Sequence, residues 1–153
     1  MGPSSVTLTD ALAGVSKLGF DTAPIIYYVE ANATYDALVS AVFDEVKHGA
    51  ITGITSTLSM TDMLVQPIRA GNNTLKARYT ALLLRSRNFN TISIDPAISE
   101  RAAELRAKYS LRTPDAIQIA AAIHSNCEAF LSNDKGHSRV SELRVLILDD
   151  LTL

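Results

Sequence analysis

Short β-rich runs separated by helix-patterned stretches constrain this chain more than any other feature, because that alternation is the signature of a largely parallel sheet covered by helices. The runs Lys17–Phe20, Ala50–Ile54, Thr91–Ile94, Ala129–Ser132 and Val145–Leu148 read as strands. Tyr35–Lys47, Ser59–Val65, Leu75–Arg87, Pro96–Tyr109 and Pro114–Ser125 read as helices. At 153 residues, 47% of them apolar, the chain is long enough for one domain with a real core, spanning 1–153, and too short for two comfortable ones. It contains no low-complexity run and no repeat at a fixed period.

Marking the acids against those strands gives the first functional hint. Asp21 follows the first strand, Asp95 the third, Asp134 the fourth by two residues and Asp149 the last. In open parallel sheets the C-terminal ends of the strands line the crevice where ligands sit. Asp95 stands directly before Pro96 and reads as a helix N-cap, which sets it aside. Asp149 and Asp150, near the C-terminal end, read as solvated. Asp21 is flanked by apolar residues, where an ionised carboxylate needs hydrogen bonds or a cation, or else caps a short helix starting near Pro24. Asp134 equally fits a turn with Asn133 and Gly136. A further carboxylate opens the apolar helix "LRTPDAIQIAAAIHSN": Thr113 reads as its N-cap, Pro114 as its first position and Asp115 as part of its first turn.

Carboxylates gathered without a Cys-rich or His-rich cluster suit a hard cation, chiefly magnesium or manganese. Zinc fits less well, since His48, His124 and His137 show no ligand spacing; His124, on an apolar helix, reads as a core residue. No Gly-rich phosphate loop of the dinucleotide or P-loop kind is present. The lone cysteine, Cys127, allows no intrachain disulfide and reads as a buried thiol. With no basic leader and no stretch near the length of a membrane span, the expected location is cytoplasmic. Net charge is −2, so the molecule as a whole does not attract nucleic acid. Met63 to Ile94 nevertheless lacks any acid while carrying Arg69, Lys76, Arg78, Arg85 and Arg87, which fits a solvated helix face or a phosphate-tracking patch.

Three stretches carry a family likeness. "FDTAPIIYYVE", "TPDAIQIAAA" and "FLSNDKGHSRV", in this order and spacing, resemble the PIN-domain family of metal-dependent ribonucleases, particularly the VapC-like toxins of toxin-antitoxin pairs. The likeness runs from about Leu18 to Leu151. It implies a three-layer α/β/α sandwich around a mostly parallel central sheet of about five strands, with an acid quartet holding one or two divalent cations (Mg2+ or Mn2+). Asp21 matches the first acid, Asp115 the third and Asp134 the fourth. The second acid of the family is usually Glu; here Asp62, in "STLSMTDMLVQPIRAG", takes that place with a side chain one methylene shorter. Ser59 and Asp62 also read as a capping box. Ala23 departs from the Asn that often follows Asp-Thr.

The resemblance implies hydrolysis of RNA phosphodiesters. Asp21, Asp115 and Asp134 would be metal ligands, and Asp62 a ligand or water-mediated partner. Thr22, Ser132 and Asn133 would orient the carboxylates. Lys135, Arg139 and some of the basic residues between 69 and 87 are candidates for flanking phosphates. Tyr27, Tyr28 and Tyr35 read as core packing rather than as base-stacking platforms. RNA as substrate, a small antitoxin protein and a homodimeric state are implied partners, with no membrane. The rival reading is a catalytically silent PIN-like module that binds nucleic acid or protein. A magnesium-dependent phosphohydrolase of the haloacid-dehalogenase kind is disfavoured because Ala23 stands where its second Asp would be.

Overall fold

The computed structural model describes residues 5–153; the first four residues of the stretch read above for a leader lie outside it. In chain order the elements are β1 (Val6–Thr7), α1 (Leu8–Ala11), β2 (Lys17–Phe20), α2 (Thr22–Val29), α3 (Asp36–Lys47), β3 (Thr52–Ser56), α4 (Thr57–Ala70), α5 (Asn73–Arg85), β4 (Phe89–Ile92), α6 (Pro96–Tyr109), α7 (Thr113–His124), β5 (Ala129–Ser132), β6 (Arg144–Ile147) and β7 (Leu151–Thr152). Single turns of 3-10 helix cover Lys135–Arg139 and Leu148–Asp150.

Five strands form one sheet in the order β4-β3-β2-β5-β6, with every neighbouring pair parallel. Its two faces follow from the period-2 alternation of side chains. Leu18 and Phe20 on β2 and Ala129 and Leu131 on β5 join a core with α1, α2, α3 and α5. Ile54 and Phe130 point the other way, into a core with α6 and α7. Both faces are buried, as a parallel sheet requires, and the molecule is the α/β/α sandwich expected.

Close packing explains two glycines. A Cβ at Gly19 would stand 2.7 Å from Ala122 Cβ on α7, and one at Gly53 would stand 2.5 Å from the Phe89 ring. Phe20 lies 5.0 Å from Phe43 and 5.3 Å from Phe89 between ring centroids, so Gly53 leaves room for this aromatic group.

The core strands β2 and β5 and the helix α6 stand where the pattern put them, while other boundaries moved. The second strand is Thr52–Ser56 rather than Ala50–Ile54, and the third Phe89–Ile92 rather than Thr91–Ile94. Helix α4 does not end at Val65: it passes through Pro67, which is buried and cannot donate the bond back to the Met63 carbonyl, and closes at Gly71 (φ 66°). The small parallel pair β1–β7, separate from the main sheet, was not expected, because two-residue strands carry no readable period.

Candidate metal centre at the C-terminal edge of the sheet

Parallel pairing sets the first two site residues side by side. Phe20 is in register with Leu131, and Asp21 N–H donates to Leu131 C=O at 2.9 Å. As β2 ends, Asp21 becomes the N-cap of α2, and its Oδ1 accepts from Thr22 N–H at 2.9 Å. Its Oδ2 accepts from Ser132 Oγ at 2.8 Å, at the end of β5. Ser132 Oγ also accepts from Asp134 N–H at 3.0 Å, so one hydroxyl orients two acids. Asp134 Oδ1 in turn accepts from Gly136 N–H at 2.8 Å. The turn explanation for Asp134 therefore holds, and its Oδ2 stays 3.8 Å from Nδ1 of the His137 ring.

Asp115 arrives from the first turn of α7. This helix starts one residue earlier than expected: Arg112 is the flanking cap residue and Thr113 already helical, because the extended backbone ends at Arg112. Arg112 makes no side-chain capping bond; its Nε donates to Asp115 Oδ2 at 2.9 Å instead. One turn further, Gln118 lies on the same face of α7 as Asp115. Its amide binds Ser56 Oγ at 2.7 Å, Thr22 Oγ1 at 3.2 Å and Ser59 Oγ. Ser59 Oγ is also 2.8 Å from Thr55 Oγ1, which donates to Phe20 C=O at 3.0 Å. This buried polar net ties β2, β3, α2, α4 and α7 together beneath the acids.

Asp62 stands mid-way along α4, so the capping-box reading does not hold: the cap is Ser56, whose Oγ accepts from Leu58 N–H, and the Ser59 hydroxyl belongs to the buried net. Partial desolvation first, then the charges of Asp21 and Asp115, pushes the Asp62 carboxyl above the ordinary carboxylate range. Asp62 thus feels the same negative field, although it is outside the tightest grouping. Asn133 turns away from the acids, and its Oδ1 accepts from Asp149 N–H at 3.2 Å. Asp149 itself is not merely solvated, because Tyr35 O–H donates to it at 2.6 Å.

The residue that the sequence reading passed over is His137. It is 2% exposed, and its Nε2 lies 3.4 Å from Asp115 Oδ1 without a hydrogen-bond partner. One ligand atom each from Asp115, Asp134 and His137 falls within 4.8 Å of the others. Its position three residues after Asp134 was the available signal, hidden because linear spacing rules look for paired histidines. His124, expected in the core, is instead exposed at the end of α7, 4.0 Å from Asp95. Asp95 caps α6 through Ile98 N–H, as expected.

Residues 20–143 match the family model described as the PIN domain. The chain belongs to the PIN domain family. Similar solved structures include a chain of the VapBC2 complex of Rickettsia felis bound to a DNA fragment from its promoter, with TM-score 0.70, 13% identity and coverage of 86% of this chain and 98% of that one. A toxin-antitoxin complex from Klebsiella pneumoniae gives 0.65, 21%, 87% and 98% in the same terms. VapC20 of Mycobacterium tuberculosis, described as a sarcin-ricin loop cleaving toxin, gives 0.62, 14%, 84% and 99%. Curated protein sequences yield no match. At these identities the structural likeness establishes the fold that this PIN domain shares with them.

Other features of the PIN domain are architectural. Tyr27 stacks on Tyr35 at 4.5 Å and Tyr28 on Phe43 at 4.0 Å, in keeping with core packing. Burial pushes the Cys127 thiol up to about 12. Among the basic residues of α4 and α5, Arg78 donates to the Val29 carbonyl and so leaves the set free to meet a phosphate. None of the described helices is long and apolar enough to cross a membrane.

Proposed function

We propose that this PIN domain is a divalent-metal-dependent ribonuclease and the toxin of a toxin-antitoxin pair. One observation carries the reading: Asp21, Asp115 and Asp134 reach one edge of the sheet from three separate elements and meet around a buried imidazole. The donor set fits a divalent cation, because a buried nitrogen without a hydrogen-bond partner lies within 4.8 Å of ligand oxygens of Asp115 and Asp134. Asp21, Asp115 and Asp134 would hold the ion, and Asp62 would add charge beside them. When bound, such a cation supplies Lewis acidity toward a phosphate oxygen and brings the pKa of water toward neutrality.

The chain's own groups divide the remaining work. Ser132 and the Thr22 N–H aim the two oxygens of Asp21. The Gln118 net holds α7, and therefore Asp115, against β2 and β3. Arg112 and Arg139 line the same depression as Asp115 and Asp134, where their guanidinium groups would meet phosphates flanking the cleaved bond. A small antitoxin is the proposed partner, as in the complexes whose folds this chain shares.

The Arg112–Asp115 pair favours a second reading. A cation of the protein's own already neutralises part of Asp115, which would suit a silent binding module. Incubating the protein with structured RNAs in magnesium, manganese or chelator, beside a folded Asp115→Asn variant, separates the two. Cleavage that requires the metal and is lost with Asp115→Asn supports the nuclease. Failure of the wild type to bind any divalent ion overturns it.

A further inference from the structure

His137 is a nitrogen donor placed among oxygen donors, and its hydrogen bonds define which nitrogen is free. Nδ1 lies 3.1 Å from the Asp134 main-chain carbonyl, which can only accept. Its other neighbour, Ser132 Oγ at 3.3 Å, has already given its proton to Asp21 at 2.8 Å, so it too accepts from the ring. Nδ1 therefore carries the hydrogen. Nε2, in a residue only 2% exposed, lies 3.4 Å from Asp115 Oδ1 and has no hydrogen-bond partner. It is thus a buried nitrogen beside a half-buried carboxylate oxygen whose other neighbour is Arg112 Nη2 at 3.4 Å, and a buried polar atom of this kind calls for a ligand. The spacing suits neighbouring ligands of one small ion, since bonds of about 2.1 Å at 90° to 109° leave their ends about 3.0–3.4 Å apart. A ring N–H donated to a backbone carbonyl is also what fixes the tautomer and orientation of metal-ligating histidines.

We propose that His137 Nε2 ligates the divalent cation directly, together with Asp115 and Asp134, and that this site selects a first-row transition-metal ion over magnesium. The inference rests on the metal-dependent reading above and specifies which ion that site takes. Imidazole adds little for magnesium, which prefers oxygen and gives up its water reluctantly, and adds more for manganese and the ions that follow it. His137 is well placed for selectivity because its ring is locked from both sides: Ser132 and Asp134 hold Nδ1, and the Phe130 ring lies 6.1 Å from it between centroids.

The test uses manganese as the probe, without an activity assay. Electron spin-echo envelope modulation of the manganese-loaded protein reads nitrogen coordinated to the ion. The other two histidines are exposed and lie elsewhere, His48 at the end of α3 and His124 beside Asp95. The expected result is a directly bound imidazole nitrogen signal that changes when the histidines are labelled with 15N and disappears in His137→Phe. Calorimetry should show manganese bound at least about tenfold more tightly than magnesium, with that preference largely lost in His137→Phe. If His137→Phe does not fold, the isotope comparison on the wild-type protein still decides the matter. Manganese binding without nitrogen coupling overturns the ligand assignment and leaves the nuclease reading intact. No binding of manganese or magnesium overturns both.

Discussion

Ser132 Oγ and Asp21 Oδ2 stand 2.8 Å apart across the β2–β5 ladder, and the same hydroxyl receives the Asp134 N–H. One small side chain thus sets the orientation of two acids from different strands. Ser132→Ala should lower stability by about 1 kcal/mol, because it removes the acceptor of the part-buried Asp134 N–H and the donor to Asp21. It should also weaken divalent-ion binding by about tenfold or more. Thermal unfolding of the metal-free protein and metal titration by calorimetry check the two effects separately; unchanged metal affinity would show that Ser132 serves the fold alone.

Gly19 bears on the site through packing. Its missing Cβ lets Ala122 on α7 approach β2, since a methyl there would meet the Ala122 Cβ at 2.7 Å and the Phe130 ring at 2.8 Å. Gly19→Ala should destabilise the protein by about 1–3 kcal/mol, and by lifting α7 it should displace Asp115 from Asp21. Denaturant unfolding reads the first effect and metal affinity the second.

Gln118 is the buried hub that ties α7 to Ser56, Thr22 and Ser59. Gln118→Leu keeps the volume but removes every bond, leaving several hydroxyls in the interior with fewer partners. The expected cost is about 1–3 kcal/mol. Hydrogen exchange should show the amides at the start of α7 losing protection before those of β5.

Two acids give opposite pH signatures. The Asp62 carboxyl lies above its ordinary range, through partial desolvation and then the charges of Asp21 and Asp115, so the fold disfavours its ionised form. The penalty is absent below the unfolded-state pKa and grows as pH rises through the carboxylate range. In metal-free protein Asp62→Asn should therefore stabilise at pH 7, on the order of a few tenths of a kcal/mol given solvent screening, and should have no effect near pH 3. Glu128 lies below its ordinary range, held first by the Lys17 N–H and then by Ser16. Its contribution is present at neutral pH and is lost as pH falls through its folded-state pKa, so Glu128→Gln should destabilise at pH 7 and converge with wild type in acid. Unfolding curves across pH check both signs.

Local pattern was enough to identify the layered parallel fold, because each strand buries both faces and each helix a stripe, and both leave a period in the residues. It also placed Asp21, Asp95, Asp134 and Asp149 after strands and Asp115 in a first helical turn, and the family resemblance chose Asp21, Asp115 and Asp134 among them. Only the tertiary structure brought out His137 and Gln118: the Nδ1 contacts of His137 are local, but its Nε2 faces Asp115 from another part of the chain, and Gln118 bonds residues 59 to 96 positions away. Asn133, adjacent in sequence to both Ser132 and Asp134, points to Asp149 instead, because successive residues at a strand end project to opposite sides. Strand ends and helix starts bring the acids to the edge of the sheet; parallel register and the packing of α7 decide which atoms meet there.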